Sequence, residues 1–89
     1  MKRQPKDLLK QIAQIQRMER GKLCRMHQGP NGHYYNHQSW EQGRNVVRYV
    51  PSDQVQSLKN AIAGYQRFLK LTQAYADEIV QRTRLARKS

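Results

Sequence analysis

The first part of the chain has apolar residues at helical spacing. They follow one another in steps of four, three and three residues: Leu8, Ile12, Ile15 and Met18. Such steps place side chains on one face of an α-helix. Pro5 suits the first turn of a helix, and Gly21 is a residue type that often ends one. The pattern therefore predicts an amphipathic helix over residues 5–20.

Two short stretches in the middle of the chain predict a β-hairpin over residues 33–50. They are rich in aromatic and β-branched residues and flank Gln42-Gly43, where glycine accepts the positive φ of a two-residue turn. Counting outward from this turn pairs Glu41 with Arg44, Ser39 with Val46, Gln38 with Val47, His37 with Arg48, Asn36 with Tyr49, and Tyr35 with Val50. Because an isolated hairpin is marginal in water, we expect one of its faces to lie on a helix.

A longer helical pattern follows Pro51. Ser52 is a suitable N-cap, and Asp53 places a negative charge in the first turn. Steps of three and four then define a seam that is apolar at eight of ten positions: Val55, Leu58, Ile62, Tyr65, Leu69, Thr72, Ala76, Ile79, Thr83 and Ala86. Such a seam is typical of a coiled coil. We predict one helix over residues 53–87.

Helix lengths predict an exposed apolar surface. At the usual rise per residue the long helix would be about 50 Å long and the first helix about 24 Å. The first helix therefore covers only part of the second in an antiparallel pair, and bare apolar side chains usually mark an interface. The predicted protein interface is Leu69, Tyr75, Ala76, Ile79 and Val80, with a homodimer or a larger protein subunit as the partner. Together the elements predict one small α+β domain over residues 1–89.

Charge narrows the classes of partner. Seventeen Lys and Arg residues face six Asp and Glu residues, so the net charge is +11. The excess positive charges repel one another in a compact chain unless a polyanion or an acidic partner neutralises them. Nucleic acid is the commonest such partner. A solvated basic surface on a protein with another role is the alternative. No run of about 18 apolar residues predicts a membrane span, and no apolar signal segment follows the basic start, so we expect a cytoplasmic protein.

The hairpin combines aromatic rings that stack on bases with arginines that contact phosphates or base edges. Basic clusters over residues 17–25 and 82–88 would add phosphate contacts. The predicted nucleic-acid contacts are Arg17, Arg20, Lys22, Arg25, Tyr34, His37, Trp40, Arg44, Arg48, Arg82, Arg84, Arg87 and Lys88. RNA is slightly favoured over DNA, because no helix carries an obvious set of base-reading side chains. Alternatively, about half of the aromatic rings form a small core, with Tyr35 and Tyr49 as the first candidates.

Metal binding and catalysis have weaker signals. Cys24, His27, His33 and His37 follow the spacing C-x2-H-x5-H-x3-H, which offers ligands that zinc accepts. The short connection between them is tighter than usual zinc-finger loops, so we predict no metal and no cofactor, although zinc binding stays open.

The carboxylates are scattered, and the adjacent pair Asp77-Glu78 would point about 100° apart on a helix. We predict that the protein is not an enzyme.

Several short boxes resemble an uncharacterised family of small bacterial and archaeal proteins. Its members show an M-x-R-G-S-L box, an H-G-P-Y-Y box, an N-G turn, and Y-V-P before a helix with N-Y-x-x-F. The matching residues are Met18, Arg20, Gly21, Leu23, His33, Tyr34, Tyr35, Gly43, Tyr49, Val50, Pro51, Tyr65 and Phe68. The family's usual Cys-rich segment is reduced here to Cys24, which argues against zinc. The resemblance implies an association with mobile-element genes, which favours nucleic acid.

These observations predict a non-catalytic nucleic-acid-binding accessory protein, one subunit of a nucleoprotein complex. The alternative is a protein-interaction adaptor that uses the long amphipathic helix, its basic charge complementing an acidic partner. We expect no membrane partner in either case.

Overall fold

A computed structural model of the protein describes residues 4–26 and 34–88. The elements, in chain order, are helix α1 (Pro5–Ala13), strands β1 (Lys22–Met26), β2 (Tyr34–Glu41) and β3 (Arg44–Val50), a 3-10 turn (Ser52–Gln54) and helix α2 (Val55–Lys88). This arrangement confirms the predicted α+β class. Within the described part of the chain, neither helix has the length and apolar character needed to cross a membrane.

The chain divides into two compact units. One consists of Met1–Gln16 and Gln66–Ser89 and is called the helical unit; the other consists of Arg17–Tyr65 and is called the sheet unit. Helix α2 contributes its first turns to the sheet unit and the rest to the helical unit. The expectation of one domain over the whole chain stays a prediction.

Helix α1 runs antiparallel to α2 in the helical unit, as predicted. The side chain of Arg82 donates a hydrogen bond to Gln4 at 3.1 Å, and that of Arg67 donates one to Gln11 at 3.4 Å. Residue numbers thus rise along α1 as they fall along α2. Leu8 of α1 is fully buried, and Leu71 of α2 is also buried.

Helix α1 is shorter than the predicted span of residues 5–20. It ends at Ala13, and the chain over residues 15–20 has no helical structure. In this segment the backbone N–H of Glu19 donates to the carbonyl oxygen of Ala61 in α2, at 2.9 Å. Tertiary contacts of this kind override a helical periodicity, which is only a weak local preference. Helix α2 differs from the predicted 53–87 only at its ends, because the residues after Pro51 first form the 3-10 turn.

The sheet has three antiparallel strands in the order β1-β2-β3. The pairing of β2 with β3 has the predicted register, from Glu41 opposite Arg44 to Tyr35 opposite Val50. The turn also agrees with the prediction, since Gln42 has φ 51° and Gly43 has φ 81°. Two positive φ angles match the right-handed twist of the flanking strands. Strand β1 was not predicted, because residues 22–26 were notable only for basic residues that follow the predicted helix.

Strand β1 begins where the backbone packs directly on β2. Gly21 has φ +91°, and a Cβ atom placed on it would lie 2.0 Å from the carbonyl oxygen of Gln38 and 2.8 Å from Cβ of Ser39. No side chain fits at that distance. Gly21 therefore allows the close approach of β1 to β2 rather than ending a helix, which corrects its predicted role.

The two faces of the sheet differ in burial. Facing residues of paired antiparallel strands lie on the same side, and successive residues lie on opposite sides. The inner face carries the buried residues His37, Ser39 and Val50. The outer face carries Trp40 and Tyr49, both exposed. The inner face is therefore the more buried of the two, whereas the expectation that it lies on a helix stays a prediction.

Candidate nucleic-acid interface

The outer face of the sheet exposes aromatic rings. Trp40 is 71% exposed and Tyr49 is 66% exposed, with Val47 and Tyr34 also open to solvent. The ring centroids of Tyr34 and Tyr49 lie 6.4 Å apart, with the planes tilted by 43°. Several exposed aromatic side chains on one face of a sheet often mark a binding surface. Rings presented in this way are suited to stacking on unpaired bases.

Polar side chains separate the rings on this face. Asn36 is the partner of Tyr49 across the strands, and Asn45 is the partner of Trp40. Lys22 of β1 and Gln38 of β2 also face each other. Amide groups both donate and accept hydrogen bonds, as the edges of bases require. The outer face thus joins stacking surface, hydrogen-bonding groups and a positive charge.

On the inner face, His37 holds the segment that precedes β1. Its Nε2 lies 2.6 Å from the carbonyl oxygen of Arg20, and since a carbonyl only accepts, the imidazole N–H is the donor. His37 is 6% exposed. The burial of its ring and the hydrogen bond of its Nε2 argue against the predicted contact of His37 with nucleic acid, which stays a prediction.

Arg20 also has a partner inside the sheet unit. Its guanidinium lies 5.4 Å from the ring centroid of Tyr65, and its Nε donates to the Tyr65 hydroxyl at 3.4 Å. This hydrogen bond raises the pKa of Arg20, with a further contribution from the charge interaction with Tyr65. The side chain remains exposed, but its guanidinium stacks on an aromatic ring of the protein itself.

An ion pair lies near the end of the hairpin. The two terminal nitrogens of Arg48 donate to the two carboxylate oxygens of Glu41, at 2.7 and 3.0 Å. The hydroxyl of Ser39 donates to the same carboxylate. The Arg48 hydrogen bonds, followed by that of Ser39, lower the pKa of Glu41 to about 2. Glu41 in turn raises the pKa of Arg48, so this arginine is already paired with an acid.

A cleft opens beside the hairpin turn, within the sheet unit. Its volume is about 890 Å³, and its lining includes Arg20, His37, Trp40, Arg44 and Arg48. Arg44 is exposed, and its side chain has no hydrogen bond or ion pair among the described residues. Of the predicted cationic contacts in the hairpin, Arg44 is therefore the one available to a ligand.

A family model described as "Domain of unknown function (DUF6788)" matches residues 1–60 of the 89-residue chain. The chain belongs to this family. The match includes α1, the whole sheet and the start of α2, whereas the rest of α2 lies beyond it. No curated protein and no solved structure matches the chain. Membership in the DUF6788 family is consistent with the predicted membership of an uncharacterised family.

The first basic cluster is divided within the DUF6788 region. Arg17 lies on the segment before β1 and is exposed. Lys22 faces Gln38 on the outer side, whereas Arg25 faces Tyr35 on the inner side. Sheet alternation thus sends neighbouring cations to opposite faces. Only Lys22 shares a face with Trp40.

The second basic cluster lies beyond the DUF6788 match, at the end of α2. Arg84, Arg87 and Lys88 line a shallow cleft of about 400 Å³. Arg82 donates to Gln4, the residue before α1, and so helps to hold the helical pair. Residues 81–88 are all exposed. This cluster is accessible to a polyanion, but it belongs to the helical unit.

The predicted protein interface on α2 is exposed in most of its residues. Leu69 is 47% exposed, Ile79 38% and Val80 43%, and Ala76 is also exposed. Tyr75 is partly buried, which corrects the expectation that it would lie bare. It lies one helical turn from the buried Leu71 and so shares its covered side.

The expected core role was right for one tyrosine and wrong for the other. Tyr35 is half-buried on the inner face, opposite the buried Val50. Tyr49 lies on the outer face with Trp40, and it belongs with the stacking residues rather than the core. The predicted register already placed Tyr49 opposite Asn36, so the two-residue alternation was the signal that could have found it.

The sheet register separates two of the four residues considered for zinc. Cys24 pairs with Asn36 on the outer face, whereas His37 pairs with Leu23 on the inner face. These side chains therefore point to opposite sides and do not share one metal ion. His27 and His33 lie outside the described residues. In residues 4–26 and 34–88, no group of three or more His, Cys, Asp or Glu side chains is placed to hold a metal.

Proposed function

We propose that the protein is a non-catalytic nucleic-acid-binding accessory protein, and that the outer face of its sheet is the binding surface. The observation that carries this proposal is the exposure of Trp40 and Tyr49 on one face, with Tyr34 beside Tyr49, on a chain of net charge +11. Stacking of a base on an aromatic side chain contributes about 1–3 kcal/mol and tolerates any sequence. The positive charge adds attraction to phosphates.

Single-stranded RNA is the favoured ligand over duplex DNA. Rings on a sheet accept bases that have left a helical stack, and the amides of Asn36, Gln38 and Asn45 lie on the same face for base edges. A duplex hides the flat surfaces of its bases and is read in its grooves, commonly by an inserted helix. Exposed Lys22 and Arg17 lie in the same unit and supply phosphate contacts.

The fluorescence of Trp40 tests this proposal directly, because the chain has one tryptophan. A short single-stranded oligouridylate should quench the tryptophan emission as it binds, and the matching duplex should quench it much less. In an anisotropy assay with labelled RNA, Trp40→Ala should weaken binding about tenfold, the value expected for loss of one stacked base. The Trp40→Phe variant keeps an aromatic surface and should bind nearly as well as the wild type. Saturable binding with no change in emission, and no effect of Trp40→Ala, would remove the proposal.

The same proposal includes a cellular setting. We assign the protein to the cytoplasm, as a subunit of an RNA–protein or mobile-element complex. The short sequence boxes that this chain shares with the family it resembles support this setting, because the resemblance implies an association with mobile-element genes. Isolation of the native protein followed by sequencing of the bound nucleic acid would test it. Recovery of protein free of nucleic acid at low salt would count against it.

A protein-interaction adaptor is the second candidate. Leu69, Ile79 and Val80 leave apolar surface open on α2, and the positive net charge favours an acidic protein as the partner over a second copy of this chain. The variant Ile79→Asp should abolish such a contact and leave oligonucleotide affinity unchanged. Gln81→Asp introduces the same charge at an exposed polar position and is the control. Loss of oligonucleotide binding with Ile79→Asp alone would exclude a separate adaptor surface.

A further inference from the structure

Trp40 lies at the boundary of two surfaces of the sheet unit. By strand alternation its side chain belongs to the outer face, opposite Asn45. The same residue also lines the cleft beside the hairpin turn, together with Arg44. A ligand group placed on the indole ring is therefore adjacent to both the aromatic face and the cleft.

The charged side chains that line the cleft differ in whether they already have a partner within the protein. Glu41 is neutralised by Arg48 through two hydrogen bonds. The other acid of the lining, Glu19, accepts a hydrogen bond from the backbone N–H of Arg20 at 2.9 Å. Both carboxylates thus have donors within the protein. Arg44 is left as an exposed cation without a partner among the described residues.

The turn between the two surfaces is narrow and unobstructed. Gln42 and Gly43 are its central residues, and a Cβ atom added to Gly43 would meet nothing within 4 Å. The missing side chain leaves room for another backbone to pass close to the protein. A chain that crosses the turn would leave the outer face at Trp40 and reach the cleft at Arg44.

We propose that a single nucleic-acid strand bends around the hairpin turn, with one base stacked on Trp40 and the adjoining phosphodiester in the cleft, bound by Arg44. This inference rests on the proposed function and extends it by adding a phosphate site. Arginine suits the role because its planar guanidinium forms two parallel hydrogen bonds with phosphate oxygens. Arg20 adds positive potential to the cleft, while the hydrogen bonds of Arg48 and Arg20 hold its walls.

The salt dependence of binding tests this phosphate contact. The probe is single-stranded oligouridylate, and the logarithm of its binding constant is measured against the logarithm of salt concentration. Arg44→Gln should weaken binding about tenfold, as expected for loss of a charge-assisted hydrogen bond. It should also reduce the steepness of the salt dependence by about 0.7, the value for one phosphate contact to a single strand. Arg44→Lys keeps the charge and should retain most of the slope.

A matched control separates this contact from general charge. Lys70→Gln removes one exposed positive charge from the helical unit and should change affinity and slope much less than Arg44→Gln. Equal effects of the two variants would overturn the inference. An Arg44→Gln variant with wild-type affinity and slope would also overturn it. If Trp40→Ala still weakens binding in that case, the proposed function stands without the phosphate site; if neither variant has an effect, both proposals fail.

Discussion

The buried imidazole of His37 donates a hydrogen bond to the backbone carbonyl of Arg20, at 2.6 Å. This contact ties the central strand to the segment that leads into β1. The contact uses only the backbone of Arg20, whose guanidinium extends over the ring of Tyr65 in α2. A histidine in the middle of an aromatic and basic hairpin thus has a structural role.

Removal of this hydrogen bond should reduce stability rather than binding. His37→Ala leaves the Arg20 carbonyl without its donor and opens a space on the inner face. We expect the free energy of unfolding to fall by about 1–3 kcal/mol, measured by urea denaturation. The affinity of the folded variant for oligouridylate should equal that of the wild type. A variant of unchanged stability that binds RNA poorly would instead return His37 to the interface.

Two glycines with positive φ should respond very differently to alanine. Gly21→Ala forces a Cβ atom to within 2.0 Å of the Gln38 carbonyl oxygen, so β1 must move away from β2. We expect a loss of about 3 kcal/mol or more in the free energy of unfolding. Gly43→Ala meets open space and carries only the backbone cost of its φ of +81°, about 1–2 kcal/mol. Equal losses for the two variants, measured by urea denaturation, would contradict the close approach at Gly21.

The hairpin register could be predicted from the sequence, but the neighbouring strand could not. Gln42-Gly43 fixes the turn, and the two-residue period of a strand then fixes every pair up to Tyr35 opposite Val50. Strand β1 carries no such signal. The helical spacing of Ile15 and Met18 continues towards it, and only contacts with distant residues, such as the Ala61 carbonyl, decide that the chain is extended there.

The sequence predicts which residue types form the candidate site, but it is a weaker guide to which face of the hairpin each side chain occupies. Trp40 and Arg44 are exposed as expected, because a large ring and a cation in a short hairpin have little core to occupy. His37, a predicted contact, is buried, whereas Tyr49, a candidate for the core, is exposed. Neither face of the hairpin is uniformly apolar, so the choice of the covered face depends on partners outside the hairpin, such as the Arg20 carbonyl.

Acid should weaken the fold through Glu41. Its folded pKa of about 2 lies below the ordinary value of 4.5, so the carboxylate contributes stability that is fully present above about pH 4.5. That contribution is lost as the pH falls towards 2, because the unfolded chain takes up the proton first. The melting temperature of the wild type should therefore drop over this range. Glu41→Gln should flatten that part of the profile, and Arg48→Gln should do the same because Arg48 is the main cause of the lowered pKa. A profile unchanged by either substitution would show that the ion pair contributes nothing in solution.

Two tyrosines on opposite faces of the same hairpin provide a final test of which face binds. Tyr35 is half-buried on the inner face, and Tyr49 is 66% exposed on the outer face. Tyr49→Ala should leave the free energy of unfolding nearly unchanged and should weaken oligouridylate binding by about 1–3 kcal/mol, because it removes one stacking ring. Tyr35→Ala should lower the free energy of unfolding by about 2 kcal/mol or more, because it opens a space beside Val50, and the folded fraction should bind as the wild type does. Urea denaturation and anisotropy on the same two variants distinguish the faces. If Tyr35→Ala weakened binding of the folded protein while Tyr49→Ala did not, the inner face would be the binding surface. The proposal that bases stack on the outer face would then have to be abandoned.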